Sequence, residues 1–285
     1  MPDIAIITDS VACLTSELIS RYQIQIIPFT LLSSGKVYRD GVDMTPSQAY
    51  EMFLKEPDTF KTAPFSPEDC LSMFRRLSQR FKNLLFTTVS VKISTAFNIA
   101  RIARDRALAE LPGTKIEILD SATAASAEGF VVLAAARAAA AGKSFSEVLA
   151  EANRVKERVH AIVLLDTVKY VYRSGRVPRI AAQAASVLNI RPIFNLYGQV
   201  NFVTAARSRR NGIDRMLQIM REKIDAQPIH CAIMHAYDPV AAAALQDEVR
   251  FRFNTVELWI SEFSPIMGYA TGTGTLGLAF YAEEG

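Results

Sequence analysis

Cysteine is scarce. The three in 285 residues (Cys13, Cys70 and Cys231) lie far apart with no CxxC pair. That excludes a disulfide framework and a zinc ribbon, and makes the cytoplasm the simple reading of location. Histidine is equally sparse: His160, His230 and His235 show no metal-ligand spacing, and neither an HExxH helix nor a GxSxG elbow occurs. Long apolar runs are missing too. The longest, GFVVLAAARAAAAG, is broken by Arg137 and is too short for a bilayer. At the amino end Asp3 and Asp9 bracket only Ile-Ala-Ile-Ile-Thr, where a signal peptide needs a basic start and a longer apolar stretch. With 13 Gly and 12 Pro the chain is neither collagen-like nor low-complexity, and 50% apolar with 21% charged residues excludes disorder. A net charge of +3 is too small to imply a nucleic-acid partner by itself. The expectation is a soluble protein without stable membrane insertion, metal or cofactor.

What is present is an alternation of short β-rich runs with helical patterns. Candidate strands are residues 4–8, 24–30, 84–90, 115–119, 161–166, 230–236 and 255–261, separated by segments such as TAFNIARIARDRALAEL and GIDRMLQIMREKI with apolar residues at helical spacing. Strands without clean alternation suit sheets covered on both faces. The fold class is therefore α/β, read as two layered units with mainly parallel sheets. The domain change is placed before the strand from Ala161, giving an amino-terminal domain over 1–160 and a carboxy-terminal domain over 161–285. Helix starts are written at Ser66-Pro67-Glu68-Asp69 and at Ser144-Phe145-Ser146-Glu147, the latter preceded by Gly142. The segments 128–142 and 180–190 are apolar almost all round, as buried helices should be.

Three strands end alike, IITDSV, EILDSA and VLLDTV, each with an acid and a hydroxyl at the carboxyl end (Asp9, Ser10; Asp120, Ser121; Asp166, Thr167). In open α/β sheets that end faces the ligand crevice. Each pair is either a cap for the next helix or a ligand contact, and capping is the simpler reading. Gly272-Thr273-Gly274-Thr275-Leu276-Gly277 fits G-x-G-x-x-G, but the chain runs on as LAFY, a strand, so no dinucleotide turn is expected. Those glycines allow close backbone approach, to packed neighbours or to a ligand. Gly142-Lys143-Ser144 lacks the earlier glycine of a P-loop. No nucleophile, base and orienter set assembles from local sequence.

Two features carry more. From Thr167 to Ile213 there is no acid, yet there are eight bases: Lys169, Arg173, Arg176, Arg179, Arg191, Arg207, Arg209 and Arg210. This basic stretch fits a docking surface for an anionic partner, or bases paired with acids elsewhere in the fold. The second feature is a pair of hydroxyls. Ser94 opens the helix from Thr95 and reads as its N-cap, at a helix start that attracts anions. Thr62, in Lys61-Thr62-Ala63-Pro64, lies in an extended loop before a proline. Together they could hold a carboxylate without a buried cation.

The order TDSVA (8–12), YRDGVDMTP (38–46), KTAPFSPED (61–69), SVKISTAFNIA (90–100), LDSATAASAEG (119–129), RSGRV (173–177), LNIRPIF (188–194) and TGTGTLGLAFY (271–281) resembles the DegV family of bacterial fatty-acid-binding proteins, over essentially the whole chain. The resemblance implies a carrier, not an enzyme, of two α/β domains with mainly parallel sheets and a ligand cleft between them, which holds a long-chain fatty acid such as hexadecanoate. Its partner would be a separate fatty acid kinase that makes acyl phosphate for phospholipid synthesis. It implies Thr62 and Ser94 as carboxylate ligands, with Asp9, Ser10, Asp120, Ser121, Thr271 and Gly272 around the head group. Arg173, Arg176 and Arg207 would meet the kinase, and the protein is expected to be a monomer. The sequence departs from the family pattern at Ala270, where a histidine is common, at Thr273 for a proline, and at Thr95-Ala96 for Gly-Thr. The competing reading is a metal-dependent phosphotransferase or hydrolase built on Asp9, Asp120 and Asp166. A nucleic-acid regulator would rest on the arginine stretch alone.

Overall fold

The structure is a computed structural model that describes residues 3–170, 175 and 190–283. The first sheet is parallel, in the order β2-β1-β6-β7, from β1 (Ile4–Asp9), β2 (Gln25–Ile27), β6 (Asn83–Thr88) and β7 (Lys115–Asp120). A small antiparallel sheet, β4-β3-β5, comprises β3 (Thr30–Ser33), β4 (Lys36–Arg39) and β5 (Lys61–Ala63). The third sheet has the order β10-β9-β8-β13-β11-β12, from β8 (His160–Leu164), β9 (Arg191–Asn195), β10 (Asn201–Ala206), β11 (Ile229–His235), β12 (Thr255–Glu262) and β13 (Leu276–Ala282).

The α/β class holds, with one difference in the third sheet. Only β11 and β12 pair in parallel there, and the other four pairings are antiparallel. Short links allow this: Leu196 to Val200 turn β9 directly back into β10, whereas a parallel return needs a crossover of a dozen residues. The expected strand over 24–30 divides at Pro28, which has no N–H for a ladder. Its first part joins the parallel sheet as β2, and its second opens β3 of the small sheet. Lys61–Ala63, read as loop, is β5, completed by pairing with β3 across 30 residues of chain rather than by any local signal.

Helices follow their written signals. Those before the central helix are α1 (Ser16–Tyr22), α2 (Pro46–Lys55), α3 (Pro67–Ser78) and α4 (Ala96–Glu110). Ser66 with Asp69 caps α3, and Ser144 with Glu147 caps α6 (Phe145–Arg158), both as reciprocal capping boxes. Beyond β10 come α7 (Arg209–Ile224), α8 (Pro239–Arg252) and α9 (Pro265–Thr271). The expected helix over 180–190 lies outside the described residues, apart from Ile190.

The central element is α5 (Ser126–Ala140), buried along nearly its whole length. It packs against β1 and β6 on one side and β8, β11 and β13 on the other. A row of directly opposed alanines, Ala161, Ala279 and Ala232, lies on the face of the third sheet that joins this core. Their small side chains let a helix lie close to the strands. Gly129 serves the other side of α5, where a Cβ would come within 2.7 Å of the Ala12 carbonyl. The core around α5 is continuous between the two large sheets. The far face of the third sheet is covered separately by α7 and α8. Among the described residues, no helix is long and apolar enough to cross a membrane.

Candidate functional site

Where the carboxyl ends of β1 and β6 approach β8, β9 and α9, the core opens into a slot. The space between its lining residues, with the part open to solvent included, is about 770 Å3. Val11, Phe29, Val163 and Phe194 of its lining are each at most 3% exposed, whereas Thr62, Ser94 and Ala270 are half-buried. Among the described residues none that lines it is ionisable, and the lining hydroxyls there are those of Thr62, Ser94 and Thr271. An apolar channel with few polar groups, mainly on its half-buried residues, suits an amphiphile.

Two elements deliver the half-buried hydroxyls. Thr62 sits on β5 opposite Leu31 of β3, so the small sheet fixes its position. Ser94 ends the loop from β6 to α4. It is not the N-cap of α4: that position is Thr95, whose side chain makes no capping bond. Ser94 Oγ instead accepts from the Ala96 N–H at 3.2 Å, from one residue further back. Its own proton has no acceptor among the described residues, and the Thr62 hydroxyl has no partner there either. Two hydroxyl donors without a protein acceptor among the described residues therefore line an almost wholly apolar channel. Thr271 differs, since its hydroxyl donates to the Met267 carbonyl at 3.2 Å.

The strand-end aspartates do not line the channel; they build the loop that carries Ser94. Asp9 accepts from Val11 N–H at 2.9 Å and Val89 N–H at 3.0 Å. Asp120 accepts from Val91 N–H at 3.2 Å and Ala122 N–H at 2.9 Å. Ser90, inside the same loop, donates to the Gly198 carbonyl of the β9–β10 turn, tying it to the third sheet. Ser10 accepts from Phe29 N–H at 3.1 Å, and Ser121 donates to the Thr123 carbonyl. Gly272 lies outside the lining too; a Cβ there would meet the Tyr170 ring at 2.5 Å, so the close approach it permits is to a packed neighbour. Asp166 is bonded to Arg191 at 2.9 Å. Asp9, Asp120 and Asp166 are thus each committed to protein partners, and among the described residues no three metal-ligating side chains are grouped to hold an ion.

Burial governs the electrostatics behind the loop. Desolvation lifts the Asp9 carboxyl from 3.8 to about 7, against the two backbone hydrogen bonds that favour its ionised form. Desolvation also raises Asp40 and holds Glu128 well above the usual carboxylate range. Glu128 accepts from Thr8 at 3.2 Å through one oxygen, while its other oxygen is buried with no partner among the described residues. Asp9, Asp40 and Glu128 are thus buried acids that resist ionisation.

Of the bases between Thr167 and Ile213, Arg191, Arg209 and Arg210 are paired with Asp166, Asp238 and Asp214, the last also with Glu248. For these three the paired reading is the right one. Arg207 is exposed after β10 and makes no ion pair among the described residues. Arg173, Arg176 and Arg179 lie outside the described residues. What the residue patterns missed was the greasy lining itself. Val163, Leu165, Phe194 and Leu196 carry no signal that separates a channel wall from ordinary core.

A family model described as "Uncharacterised protein, DegV family" matches residues 3–283. A DegV domain-containing protein of Caldanaerobacter subterraneus is 31% identical over 222 residues, 78% of each chain. Another, from Clostridium perfringens, is 27% identical across 99% of this chain and 100% of its own. Among solved structures, a DegV family protein from Thermus thermophilus described by its fatty acid binding superposes with a TM-score of 0.90 at 26% identity, covering 98% of this chain and 99% of its own. DegV of Bacillus subtilis shares the fold at a TM-score of 0.88 and 23% identity, covering 99% of this chain and 100% of its own.

Proposed function

The chain belongs to the DegV family, and from that premise we propose that it is a carrier for a long-chain fatty acid, with no chemistry of its own. The carboxylate sits at Thr62 and Ser94, and the tail fills the channel towards Val163 and Phe194. The carrier then presents the carboxylate to a separate kinase that forms acyl phosphate from ATP. The observation that carries this reading is the pair of half-buried hydroxyl donors, without a protein acceptor among the described residues, in a channel otherwise almost wholly apolar. The Thermus thermophilus relative, described by its fatty acid binding, supports the ligand class.

The energetics agree with the geometry. Each buried methylene contributes about 0.8 kcal/mol, so a long tail supplies ample driving force. The head needs orientation more than strength. Hydroxyl donors hold a carboxylate without neutralising it, whereas a buried Arg or Lys would withdraw the charge that must attack phosphorus. Hydrogen bonds to a charged group contribute about 1.5–3 kcal/mol. Ser94→Ala or Thr62→Val should therefore weaken fatty-acid binding about tenfold or more, and acyl-phosphate formation should fall with it. Titration calorimetry with hexadecanoate, paired with a coupled kinase assay, measures both. Unchanged values in the two variants would remove these hydroxyls from the head-group site.

A further inference from the structure

The turn from β9 to β10 carries Leu196 and Val200, which both line the channel, and Gly198 stands midway between them. Gly198 is held through both of its backbone groups. Its N–H donates to the Ala122 carbonyl, in the loop after β7, at 2.5 Å. Its carbonyl accepts from Ser90 Oγ, in the loop after β6. At this glycine a turn of the third sheet is pinned to two loops of the parallel sheet. The loop after β6 also carries Val89, Ile93 and Ser94, all in the channel lining. The clasp therefore registers one wall of the channel against the other.

Ser90 has a second task. It is 1% exposed and is not itself part of the lining. Its Oγ accepts from the Lys92 N–H at 3.2 Å while its proton goes to Gly198. Its carbonyl accepts from the N–H groups of Ile93 at 2.9 Å and Ser94 at 3.0 Å. The turn that ends at Ser94 is thus wound around Ser90, and the same residue fastens that turn to the opposite wall. A hydroxyl carried on a loop keeps its direction only as well as the residues behind it are fixed. We infer that Ser90 is a positioning residue for the head-group site: by clasping Gly198 it aims the Ser94 hydroxyl at the ligand carboxylate. This rests on the fatty-acid reading of the channel and adds to it the residue that holds Ser94 in place.

The test is a double-mutant cycle between Ser90 and Ser94, read as the affinity of the full-length protein for hexadecanoate by competitive displacement of a fluorescent fatty acid. Opening the clasp in Ser90→Ala should lower that affinity about fivefold. Because Ser90 acts through Ser94, its loss should cost nothing more once the Ser94 hydroxyl is gone. The doubly substituted protein should then bind within about twofold of Ser94→Ala. A change in the wall that bypassed Ser94 would multiply with its loss instead. Hexadecanol gives a second readout, since it has the same tail and no carboxylate; Ser90→Ala should leave its affinity unchanged. Circular dichroism separates misfolding from misaiming. Ser90→Cys, of similar size but with only a weak donor, decides the matter if Ser90→Ala does not fold. Unchanged hexadecanoate affinity in Ser90→Ala, multiplying losses, or equal losses for acid and alcohol would each overturn the inference while leaving Ser94 as a head-group ligand. Wild-type affinity in Ser94→Ala would overturn the head-group assignment itself.

Discussion

Asp9 is the residue on which the site's local order turns. Its carboxylate ties the start of the turn after β1 to the start of the loop after β6, and that loop ends at Ser94. Burial has lifted its pKa from 3.8 to about 7, the strongest influence being desolvation. A group whose folded pKa lies above its unfolded value favours the folded state fully below the unfolded value, and loses that contribution as pH rises towards the folded one. Asp9 therefore draws stability down between about pH 4 and about pH 7. Asp40 and Glu128, both raised by burial, act with the same sign. In Asp9→Asn, the fall in urea midpoint over this interval should be shallower than in the wild type; parallel profiles would show that Asp9 is ionised throughout. In the sequence the strand-end aspartate was visible, and capping was the simpler reading of it. That it also reaches across to Val89 was not visible, because this contact joins residues 80 apart in the chain.

Among the elements, α5 does most to position the two large sheets. It was legible as a buried helix because apolar residues surround it on every side, which only burial tolerates. Its alanines could not say whether small size served close packing or left room for a ligand. The structure places them in the packed core, while the channel draws its walls from strands, loops and α9. Gly129 is the tightest point, with its missing Cβ 2.7 Å from the Ala12 carbonyl and 3.0 Å from Leu14 Cδ2. Backbone cannot yield as a flexible side chain does, so Gly129→Ala should destabilise by about 1–3 kcal/mol despite its better helix propensity. Chemical denaturation checks this, and a stabilised variant would mean that α5 can shift. The short strands escaped the pattern for a different reason. Lys61–Ala63 and Lys36–Arg39 have three and four residues, too few for periodicity, and exist because β3 lies between them.

For the molecule as a whole, the channel is a property of assembly. Its walls come from the strands and loops of residues before 100 and from those after 160, and neither set encloses it alone. Thr62 and Ser94, 32 positions apart and on different elements, were legible through resemblance rather than through any local motif; the fold brings both to one channel. The charge on the outer surface was only partly legible. Three arginines of the basic stretch serve internal ion pairs, and Arg207 remains exposed without one among the described residues. Under the proposed carrier function Arg207 is a candidate docking residue, so Arg207→Glu should leave hexadecanoate affinity unchanged while lowering acyl-phosphate formation at limiting kinase. Equal losses in both assays would place Arg207 at the pocket instead. The most direct measurement is a crystal structure of the protein bound to hexadecanoate. The carboxylate oxygens should lie within hydrogen-bonding distance of Thr62 Oγ1 and Ser94 Oγ, with the tail running inward to Val163. A carboxylate beside Val163, or an acyl chain lying outside this channel, would contradict the account.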